Sequence, residues 1–446
     1  MLYEFLKEAM LKNPSKTLRD EENVITFKEL IEYAESFAKK LTYHKYGILC
    51  RSELDTAKAL MSCLCAKKTA VILSHRYGDK HSKRIIDKIN LSYIITENEV
   101  ENVADEKYET EDLSDVALIM CTSGTTGTPK GAMITNENLV TNLGDIEKYF
   151  SINEADRILI ARPLYHCAVL TGEFFISLIK GLDIVFIGGD FNPIKVVEKI
   201  RQEQISVMCG TPTLFYHICN IAKRQAERMS LRTIAVSGEC MTQIVADKMQ
   251  QSMLDVRIYN VYGLTEASPR VSFLSPDLFN KYPTSVGIPL SSITAKTVDD
   301  ELVIKGKSIM KGYYNDSEST HRAIVDGWLY TGDVAQIDEN GFIYIKSRKD
   351  NMIIRAGMNI YPQEIENAIK QDFRIKEALA MGVKSDKVSQ KIHLTVSGED
   401  LTKSYVLDVC KKYLSTYQFP DEIEIVSDIP KNASGKILRS KEQVFS

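Results

Sequence analysis

The spacing of apolar and polar residues along the chain predicts alternating helices and strands. Over residues 26–41 apolar side chains recur at intervals of three and four, which is typical of an amphipathic helix. Thr26 and Glu29 at its start have the form of a capping box. In the following segment the pattern predicts two helices and two strands, at 55–67 (helix), 69–73 (strand), 80–88 (helix) and 92–96 (strand).

A longer alternation of strand and helix patterns runs from residue 158 to residue 261. The predicted strands lie at 158–161, 184–187, 207–209, 233–236 and 257–261, and the predicted helices at 169–180, 193–204, 212–228 and 243–253. Such alternation is typical of a layered α/β domain with a largely parallel sheet, whose ligands lie beyond the carboxyl ends of the strands. We therefore expect the loops after Met120, Ala161, Val236 and Val261 to open on one rim.

The pattern changes after residue 286. Short alternating segments follow up to residue 346, and the turn residues at 338–341 favour a hairpin, so we expect a small barrel-like or distorted β-sheet. Beyond Arg348 the chain has the pattern of a compact α+β unit, with elements at 362–371, 377–383, 392–396, 401–414 and 422–426. The predicted fold class is α/β. A large domain, 1–349, would hold layered α/β subdomains and the barrel-like β subdomain, and a small mobile α+β domain would span 350–446.

Composition narrows the class of protein. The 446 residues, 44% hydrophobic and 26% charged, are typical of a soluble globular protein of two or three domains. The 56 basic and 60 acidic residues give a net charge of −4, so we expect no nucleic-acid partner. We also expect neither a membrane span nor a signal peptide, because the chain lacks a sustained apolar run. Nine scattered cysteines without a C-x-x-C pair favour reduced thiols and a cytoplasmic location.

One loop carries the densest concentration of candidate chemistry. It follows the apolar run at 116–120 and reads Cys121-Thr122-Ser123-Gly124-Thr125-Thr126-Gly127-Thr128-Pro129-Lys130-Gly131. Glycines let backbone N–H groups approach an anion, the hydroxyls add donors, and Lys130 adds a charge. The loop is not a Walker A motif, because Pro129 precedes the lysine and Gly131 follows it. From composition alone, a phosphate-binding loop and a flexible surface turn remain equal alternatives.

The ten residues from Thr122 to Gly131 resemble the signature loop of the adenylate-forming superfamily. That superfamily includes acyl- and aryl-CoA synthetases, carrier-protein ligases, luciferases and the adenylation domains of peptide synthetases. The resemblance implies that the loop binds the phosphates of ATP through Thr122, Ser123, Gly124, Thr125, Thr126, Gly127, Thr128 and Lys130. In typical members the loop lies some tens of residues later, so we interpret the N-terminal region of this chain as abridged.

Two further motifs resemble the family's nucleotide-binding segments. In the stretch Tyr262-Gly263-Leu264-Thr265-Glu266, the resemblance implies that Tyr262 lies against adenine, Thr265 contacts the α-phosphate and Glu266 binds Mg²⁺. One carboxylate with phosphate oxygens suits that ion, which keeps much of its water shell. The alternative is an ordinary solvated strand end. In the stretch 330–333, Asp333 would accept hydrogen bonds from both ribose hydroxyls, and Arg348 would also reach the ribose.

The C-terminal motifs imply a mobile domain. Asp350 falls at the family's hinge position, and residues 355–366 resemble the segment that swings to the active site after adenylation. Gly357 in that segment would line the tunnel for pantetheine. Lys436, within 430–438, is the implied catalytic lysine, because a flexible ammonium can offset charge that develops in the transition state.

Two more segments bear on the substrate. Residues 163–166 match the acyl/aryl form of a motif in which His166 borders the carboxylate, and Ser237, Gly238 and Glu239 should form part of the pocket and of the nucleotide wall. Amino-acid-activating members place an aspartate near this point. None occurs from Pro163 to Gly172, so an amino-acid substrate is disfavoured.

These residues together predict an ATP-dependent ligase for a fatty or aryl acid. It would form an acyl-adenylate with release of pyrophosphate and then pass the acyl group to CoA, with ATP and Mg²⁺ as the other small-molecule requirements. Two alternatives stay open. A stand-alone ligase could load a phosphopantetheinyl carrier protein, and an abridged chain could be a non-catalytic nucleotide-binding or interaction protein.

Overall fold

The computed structural model describes residues 1–74, 79–105, 109–122, 130–188, 192–225, 229–355, 358–384, 390–431, 437 and 439. Within these ranges the largest sheet has nine strands. From edge to edge they are Ile288–Pro289, Arg270–Leu274, Arg257–Gly263, Thr233–Val236, Val207–Gly210, Arg157–Ile160, Asp183–Phe186, Thr17–Arg19 and Val24–Thr26. The six from Arg257–Gly263 to Thr17–Arg19 are parallel.

Alternation along these strands explains why helices cover both faces of the sheet. Ile158 and Ile160 point into one apolar core, and Leu159 between them points into a second core. The second core is closed by three helices, Pro193–Gln202, Pro212–Gln225 and Gln243–Ser252. The first core includes side chains of two helices that the sequence did not reveal, Leu2–Lys12 and Asn136–Tyr149.

A second sheet of seven strands packs in the N-terminal region. Its strands, in spatial order, are Gly312–Tyr313, Lys130–Thr135, Val116–Thr122, Thr69–Ile72, Lys45–Ile48, Tyr93–Thr96 and Glu99–Asn102. Its helices are Phe27–Ala38, Glu53–Cys65 and Asp79–Ile89. The capping box of the first helix is confirmed, since the Glu29 N–H donates to Thr26 Oγ1 over 3.1 Å and the Thr26 N–H donates to Glu29 Oε2 over 2.7 Å.

The remaining strands form smaller sheets. A five-stranded sheet, the expected small β subdomain, contains Ile293–Val298, Glu301–Gly306, Trp328–Ile337, Ile324–Val325 and Ile343–Arg348. A short helix, Pro276–Phe279, precedes it in the sequence, and another, Ser317–Ala323, lies between two of its strands. The predicted hairpin at 338–341 is confirmed, because Asp338 accepts hydrogen bonds from the N–H groups of Asn340 and Phe342 between two antiparallel strands.

The C-terminal segment has its own apolar core. It contains a two-stranded ribbon, Ile353–Arg355 with Met358–Ile360, a three-stranded sheet, Ile375–Lys384, Gln390–Gly398 and Glu422–Val426, and the helices Pro362–Ile369 and Lys403–Tyr413. The α/β fold class, with a larger N-terminal part and a smaller α+β C-terminal part, is confirmed. The boundary at 349/350 stays a prediction. The helices of the described ranges fall short of the length and apolarity that a membrane crossing needs.

One predicted helix is wrong in form. The segment 169–180 is not one regular α-helix, because a π-helical stretch, Leu170–Phe175, separates the short α-helical pieces Cys167–Val169 and Ile176–Lys180. Gly172 lies in the middle of the π-helical stretch. A Cβ atom built on Gly172 would lie 2.3 Å from Arg270 Nη2, so the glycine lets a guanidinium lie directly against this helix.

Candidate functional site

The predicted site loops follow the carboxyl ends of strands, but these strands belong to two different sheets. Those after Ala161, Val236 and Val261 follow parallel strands of the nine-stranded sheet. Thr233–Val236 and Arg257–Gly263 are neighbours, and Val207–Gly210 separates them from Arg157–Ile160. The strand that contains Val261 continues to Gly263. The loop after Met120 follows the strand Val116–Thr122 of the seven-stranded sheet. The site therefore lies where the ends of two sheets meet, which an alternation pattern does not specify.

Tyr262, Asp333 and Arg348 form one hydrogen-bonded group. The Tyr262 hydroxyl donates to Asp333 Oδ2 over 2.5 Å, and Arg348 Nη1 donates to Asp333 Oδ1 over 3.1 Å. Arg348 also donates to the Thr331 carbonyl oxygen over 2.8 Å. Burial, together with the charge of Asp333, raises the pKa of Tyr262 well above its ordinary value, so the phenol keeps its proton and acts as the donor. The residues predicted for adenine and ribose thus lie together.

Glu266 and Lys130 meet at a tyrosine. Glu266 lies on the single 3₁₀ turn Thr265–Ala267, and its Oε1 accepts a hydrogen bond from the Tyr313 hydroxyl over 2.8 Å. Lys130 Nζ lies 5.1 Å from the centre of the Tyr313 ring. Lys130 is the first residue of the strand Lys130–Thr135, which follows the glycine-rich loop. The end of that loop therefore lies near Glu266, because both residues lie close to the same tyrosine. A carboxylate and an ammonium that lie close to the same tyrosine suit a metal-bound polyphosphate.

The carboxylate of Glu266 fits the predicted Mg²⁺ role. The hydrogen bonds of the described residues use one of its two oxygens, and the Met310 N–H anchors its backbone carbonyl over 2.8 Å. Across the described ranges there is no cluster of three or more His, Cys, Asp or Glu residues that could bind a metal by itself. This donor set suits an ion that takes one carboxylate and completes its shell with phosphate oxygens and water.

The segment predicted to border the carboxylate of the acid lies beside Glu266. His166 precedes the helix Cys167–Val169, and its ring centroid lies 4.3 Å from that of Tyr165. Cys167 is buried, and burial together with the charge of Glu266 raises its pKa, so this thiol stays protonated at neutral pH. His166 therefore adjoins a protonated thiol that lies within the electrostatic influence of Glu266.

The predicted pocket wall at 237–239 is tied to the helix Pro212–Gln225. The Ser237 N–H donates to the Gly210 carbonyl over 2.9 Å, and Glu239 Oε2 accepts a hydrogen bond from Thr213 Oγ1 over 2.7 Å. Gly238 between them has φ +89°, a conformation that suits glycine. A Cβ atom at Gly238 would lie 3.8 Å from Arg162 Nη1, so this turn faces a buried guanidinium.

Several predicted residues lie outside the described residues: Ser123, Gly124, Thr125, Thr126, Gly127, Thr128, Gly357 and Lys436. Thr122 is described as strand backbone, which pairs in register with Lys130, so the two ends of the glycine-rich loop lie side by side.

Asp350, the predicted hinge, is exposed on the 3₁₀ turn Lys349–Asn351. This turn directly follows the last strand of the five-stranded sheet.

Two residues of the site were missed from the sequence. Tyr313 connects Glu266 with Lys130, yet nothing in the spacing of its neighbours distinguishes it from a core tyrosine. Glu301 is buried, accepts the Gly332 N–H over 2.8 Å and pairs with Lys349 over 2.8 Å. It thereby positions the turn before Asp333, where Gly332 has φ +71°. A lone glutamate in a strand gives no sequence signal for that role.

Family comparisons agree with this arrangement. Residues 6–314 match the family model described as AMP-binding enzyme, and residues 364–436 match the model described as AMP-binding enzyme C-terminal domain. A 2-succinylbenzoate–CoA ligase of Listeria monocytogenes is 33% identical over 369 residues, which are 80% of this chain and 76% of that protein.

Two further relatives extend the comparison. A long-chain-fatty-acid–CoA ligase of Salmonella typhimurium is 33% identical over 342 residues, which are 73% of this chain but 61% of that protein. The chain thus spans about three fifths of the length of this relative. The structure of an O-succinylbenzoate coenzyme A synthetase from Bacillus subtilis, in complex with ATP and magnesium ion, has a TM-score of 0.84 at 25% identity and covers 99% of each chain.

Proposed function

Because the chain belongs to the AMP-binding enzyme family, we propose that it activates a carboxylic acid with ATP and passes the acyl group to CoA. One observation carries this proposal. Tyr262, which is hydrogen-bonded to Asp333, lies near the end of a strand, four residues before Glu266. Glu266 accepts a hydrogen bond from Tyr313, and Lys130 lies close to the ring of the same tyrosine. The residues predicted to bind the nucleoside and those predicted to bind the polyphosphate thereby lie at the end of one strand.

In the first half-reaction a carboxylate oxygen of the acid attacks the α-phosphorus of ATP, and the bond from that phosphorus to the bridging oxygen breaks. The products are an acyl-adenylate and pyrophosphate. Asp333 and Arg348 would hold the ribose, Tyr262 the adenine, Thr265 the α-phosphate, and Lys130 with the glycine-rich loop the outgoing phosphates. Glu266 would hold Mg²⁺, which neutralises phosphate charge when bound. His166 would border the acid.

In the second half-reaction the CoA thiol attacks the acyl carbon and AMP leaves. We propose that residues 350–446 form a unit that turns about Asp350 between the two steps, removing Lys436 and bringing Gly357 to the thiol. The separate apolar core of this C-terminal unit and the exposed turn at Asp350 support such a movement. All nine cysteines are free thiols, which supports a reducing compartment such as the cytoplasm.

The related proteins support CoA over a carrier protein as the acceptor, since those named above are CoA ligases. They differ in the acid, which is a long-chain fatty acid for one and 2-succinylbenzoate for the other. A carrier-protein ligase is the second candidate, and a comparison of acyl transfer to CoA and to a phosphopantetheinylated carrier separates the two.

The test of the first half-reaction is acid-dependent exchange of labelled pyrophosphate into ATP. The full chain is assayed with Mg²⁺ and a panel of fatty, benzoic, branched and dicarboxylic acids. We expect at least one acid to raise exchange far above the acid-free rate, and the Glu266→Gln variant to lose that increase. Absence of exchange with every acid, in a preparation that binds ATP, would support the non-catalytic nucleotide-binding alternative instead.

A further inference from the structure

Three buried charged residues form a cluster beside the proposed acid site. Arg162 is 8% exposed, Glu173 0% and Arg270 3%. Arg162 comes shortly after the strand Arg157–Ile160, and Glu173 lies on the π-helical stretch that follows His166. Arg270 pairs in register with Gly263, so it lies across from the strand end that carries Tyr262 and leads to Glu266. The cluster therefore belongs to the same edge of the nine-stranded sheet as the candidate site.

The cluster contains more positive than negative charge. Arg162 Nη2 donates to Glu173 Oε1 over 2.6 Å. Among the described residues, Arg270 has no carboxylate within 4.0 Å, and its Nε and Nη1 atoms have no hydrogen-bond acceptor. Arg162 Nε is also without an acceptor, and Glu173 Oε2 is without a donor, in that part of the chain. Two guanidinium groups thus face one carboxylate.

A buried guanidinium without a partner is costly, because it has lost its hydration without a compensating ion pair. Burial raises the pKa of Glu173, with Arg162 and then Arg270 opposing that effect. Protonation of Glu173 would leave the cluster still more positive. One further anion would neutralise the charge of the ionised cluster and occupy the open N–H groups, which a planar guanidinium presents in a fork that matches a carboxylate.

Two glycines bring backbone close to this cluster. Gly172 allows the Arg270 guanidinium to lie against the helix, and Gly238 presents no side chain toward Arg162. The buried Ser237 hydroxyl beside Gly238 has no hydrogen-bond partner among the described residues and adds another donor. Glu173 comes seven residues after His166 on helical backbone, a separation of about 10 Å. An acid of moderate length spans that distance.

A cavity that also touches the 163–166 segment suits a second carboxylate less well. Its volume is about 810 Å³, and it reaches Tyr165 from the ends of strands in both large sheets. Six carboxyl side chains and one arginine line it, namely Asp20, Glu21, Glu22, Glu53, Asp55, Glu97 and Arg51. An additional carboxylate would be repelled there. Of the two places next to the 163–166 segment, the arginine cluster has the charge that attracts an anion.

We propose that Arg270 and Arg162 bind a second anionic group of the acid substrate, so that the chain activates a dicarboxylic acid in preference to a methyl-ended acid of the same length. This inference rests on the proposed function, because it concerns the end of the acid that lies far from the adenylated carboxyl group. Glu173 is a positioning residue for Arg162 in this arrangement. Arg270, which lacks an ion pair within the described ranges, is the specificity-determining residue.

The test compares matched acids in the pyrophosphate exchange assay. The pairs are succinate and butyrate, adipate and hexanoate, and suberate and octanoate. We expect kcat/KM to be at least tenfold higher for the dicarboxylate in at least one pair, since hydrogen bonds between a guanidinium and a carboxylate are charge-assisted and strong. Exchange with methyl-ended acids and none with their dicarboxylic counterparts would overturn this inference while leaving the proposed function intact. Absence of exchange with every acid would overturn both.

The Arg270→Met variant tests whether the arginine cluster causes the preference for dicarboxylic acids. It removes the guanidinium and keeps an unbranched side chain, so we expect the ratio of kcat/KM for the dicarboxylate to kcat/KM for the methyl-ended acid to fall at least tenfold. Arg322→Met, which removes an exposed guanidinium from the helix Ser317–Ala323, is the matched control and should keep the wild-type preference. An unchanged preference in Arg270→Met would contradict the assignment.

Thermal unfolding of each variant accompanies the assay. If Arg270→Met does not fold, Arg270→Lys takes its place, because it keeps the charge and loses the fork. We expect Arg270→Lys to retain a reduced preference between those of the wild type and of a variant without the charge. A wild-type enzyme that prefers the methyl-ended member of every pair would overturn the inference whatever the variants do.

Discussion

The hydrogen bond from Tyr262 to Asp333, 2.5 Å long, joins the nine-stranded sheet to the five-stranded sheet. Tyr262 lies next to the end of its strand, and the chain then turns through Gly263 to the 3₁₀ turn with Glu266. Asp333 is held from the other side by Arg348, its register partner on the adjacent strand. One strand end thus fixes the spacing between the proposed ribose-binding carboxylate and the proposed metal-binding carboxylate.

Replacing Asp333 by asparagine should weaken ATP binding. The amide has one acceptor oxygen in place of two, and its NH₂ group would face the Arg348 guanidinium. We expect KM for ATP to rise by about 10- to 100-fold, the effect of losing a charge-assisted hydrogen bond, with little change in KM for the acid. Steady-state kinetics with each substrate varied in turn measures this. Asp326→Asn, at an exposed turn position with φ +51°, is the control. An equal rise in both KM values would argue against a nucleotide-specific role.

Replacing Glu266 and replacing Tyr313 should have effects of different size. Glu266→Gln removes the negative charge proposed to hold Mg²⁺, so we expect kcat/KM to fall by about 100-fold or more and the Mg²⁺ concentration for half-maximal rate to rise. Tyr313→Phe removes only the hydrogen bond to the carboxylate and should cost about tenfold. Magnesium titrations of both variants give the comparison. If Tyr313→Phe were as damaging as Glu266→Gln, the tyrosine would have a role beyond positioning.

The two half-reactions should respond differently to the loss of Lys436. We expect Lys436→Ala to abolish formation of the acyl-adenylate, because the ammonium offsets transition-state charge in that step. Thioester formation from supplied acyl-adenylate and CoA should be nearly unchanged, since the proposed rotation removes the lysine before the thiol attacks. Single-turnover measurements of each half-reaction test this. Equal losses in both would contradict domain alternation. Lys411→Ala, an exposed lysine of the same C-terminal unit, is the control.

The stability of the N-terminal region should depend on pH through Asp145. This buried carboxylate accepts hydrogen bonds from Ser291 Oγ over 2.5 Å, the Ser292 N–H over 3.0 Å and Lys148 Nζ over 3.0 Å. Burial raises its pKa, but these bonds outweigh burial and hold the pKa below the ordinary 3.8. The stabilisation is therefore present above pH 3.8 and is lost as the pH falls through the lowered folded-state pKa.

Asp145→Asn should accordingly lower the free energy of unfolding by about 1–3 kcal/mol at pH 7. The difference between wild type and variant should shrink below pH 3.8, where the wild-type carboxyl becomes protonated. Urea unfolding at a series of pH values measures it. Asp400→Asn, at an exposed position with φ +50° that asparagine tolerates, is the control. A difference that stays constant from pH 7 to pH 3 would exclude a role for the ionised carboxylate.

Local chemistry made much of the fold predictable. The helix Phe27–Ala38 begins where Thr26 and Glu29 cap it, because a capping box needs residues only three positions apart. Buried strands such as Thr233–Val236 were predicted because their apolar runs are bounded by polar segments. The strand Lys130–Thr135 was missed, since it follows a glycine-rich loop and is fixed by pairing with Val116–Thr122. The π-helical stretch was missed because apolar periodicity does not distinguish it from an α-helix.

The candidate site was predictable only where a contiguous motif carried it. Tyr262, Glu266, Asp333 and Arg348 were identified by motif, and the structure shows which of them touch. Tyr313, Glu301 and Arg270 were not identified, because their roles depend on contacts between residues far apart in sequence. Charge balance in a buried cluster is a property of tertiary packing, so the unsatisfied N–H groups of Arg270 are visible only in three dimensions.

The fate of the acid's own oxygen tests the central claim most directly. The acid found active in the exchange assay is labelled with ¹⁸O in both oxygens of the reacting carboxyl group and incubated with the enzyme, ATP, Mg²⁺ and CoA, and the AMP is analysed by mass spectrometry. If the carboxylate attacks the α-phosphorus, each AMP keeps one acid oxygen, so the account predicts AMP that is heavier by one ¹⁸O. Unlabelled AMP, or ADP with labelled phosphate, would contradict it.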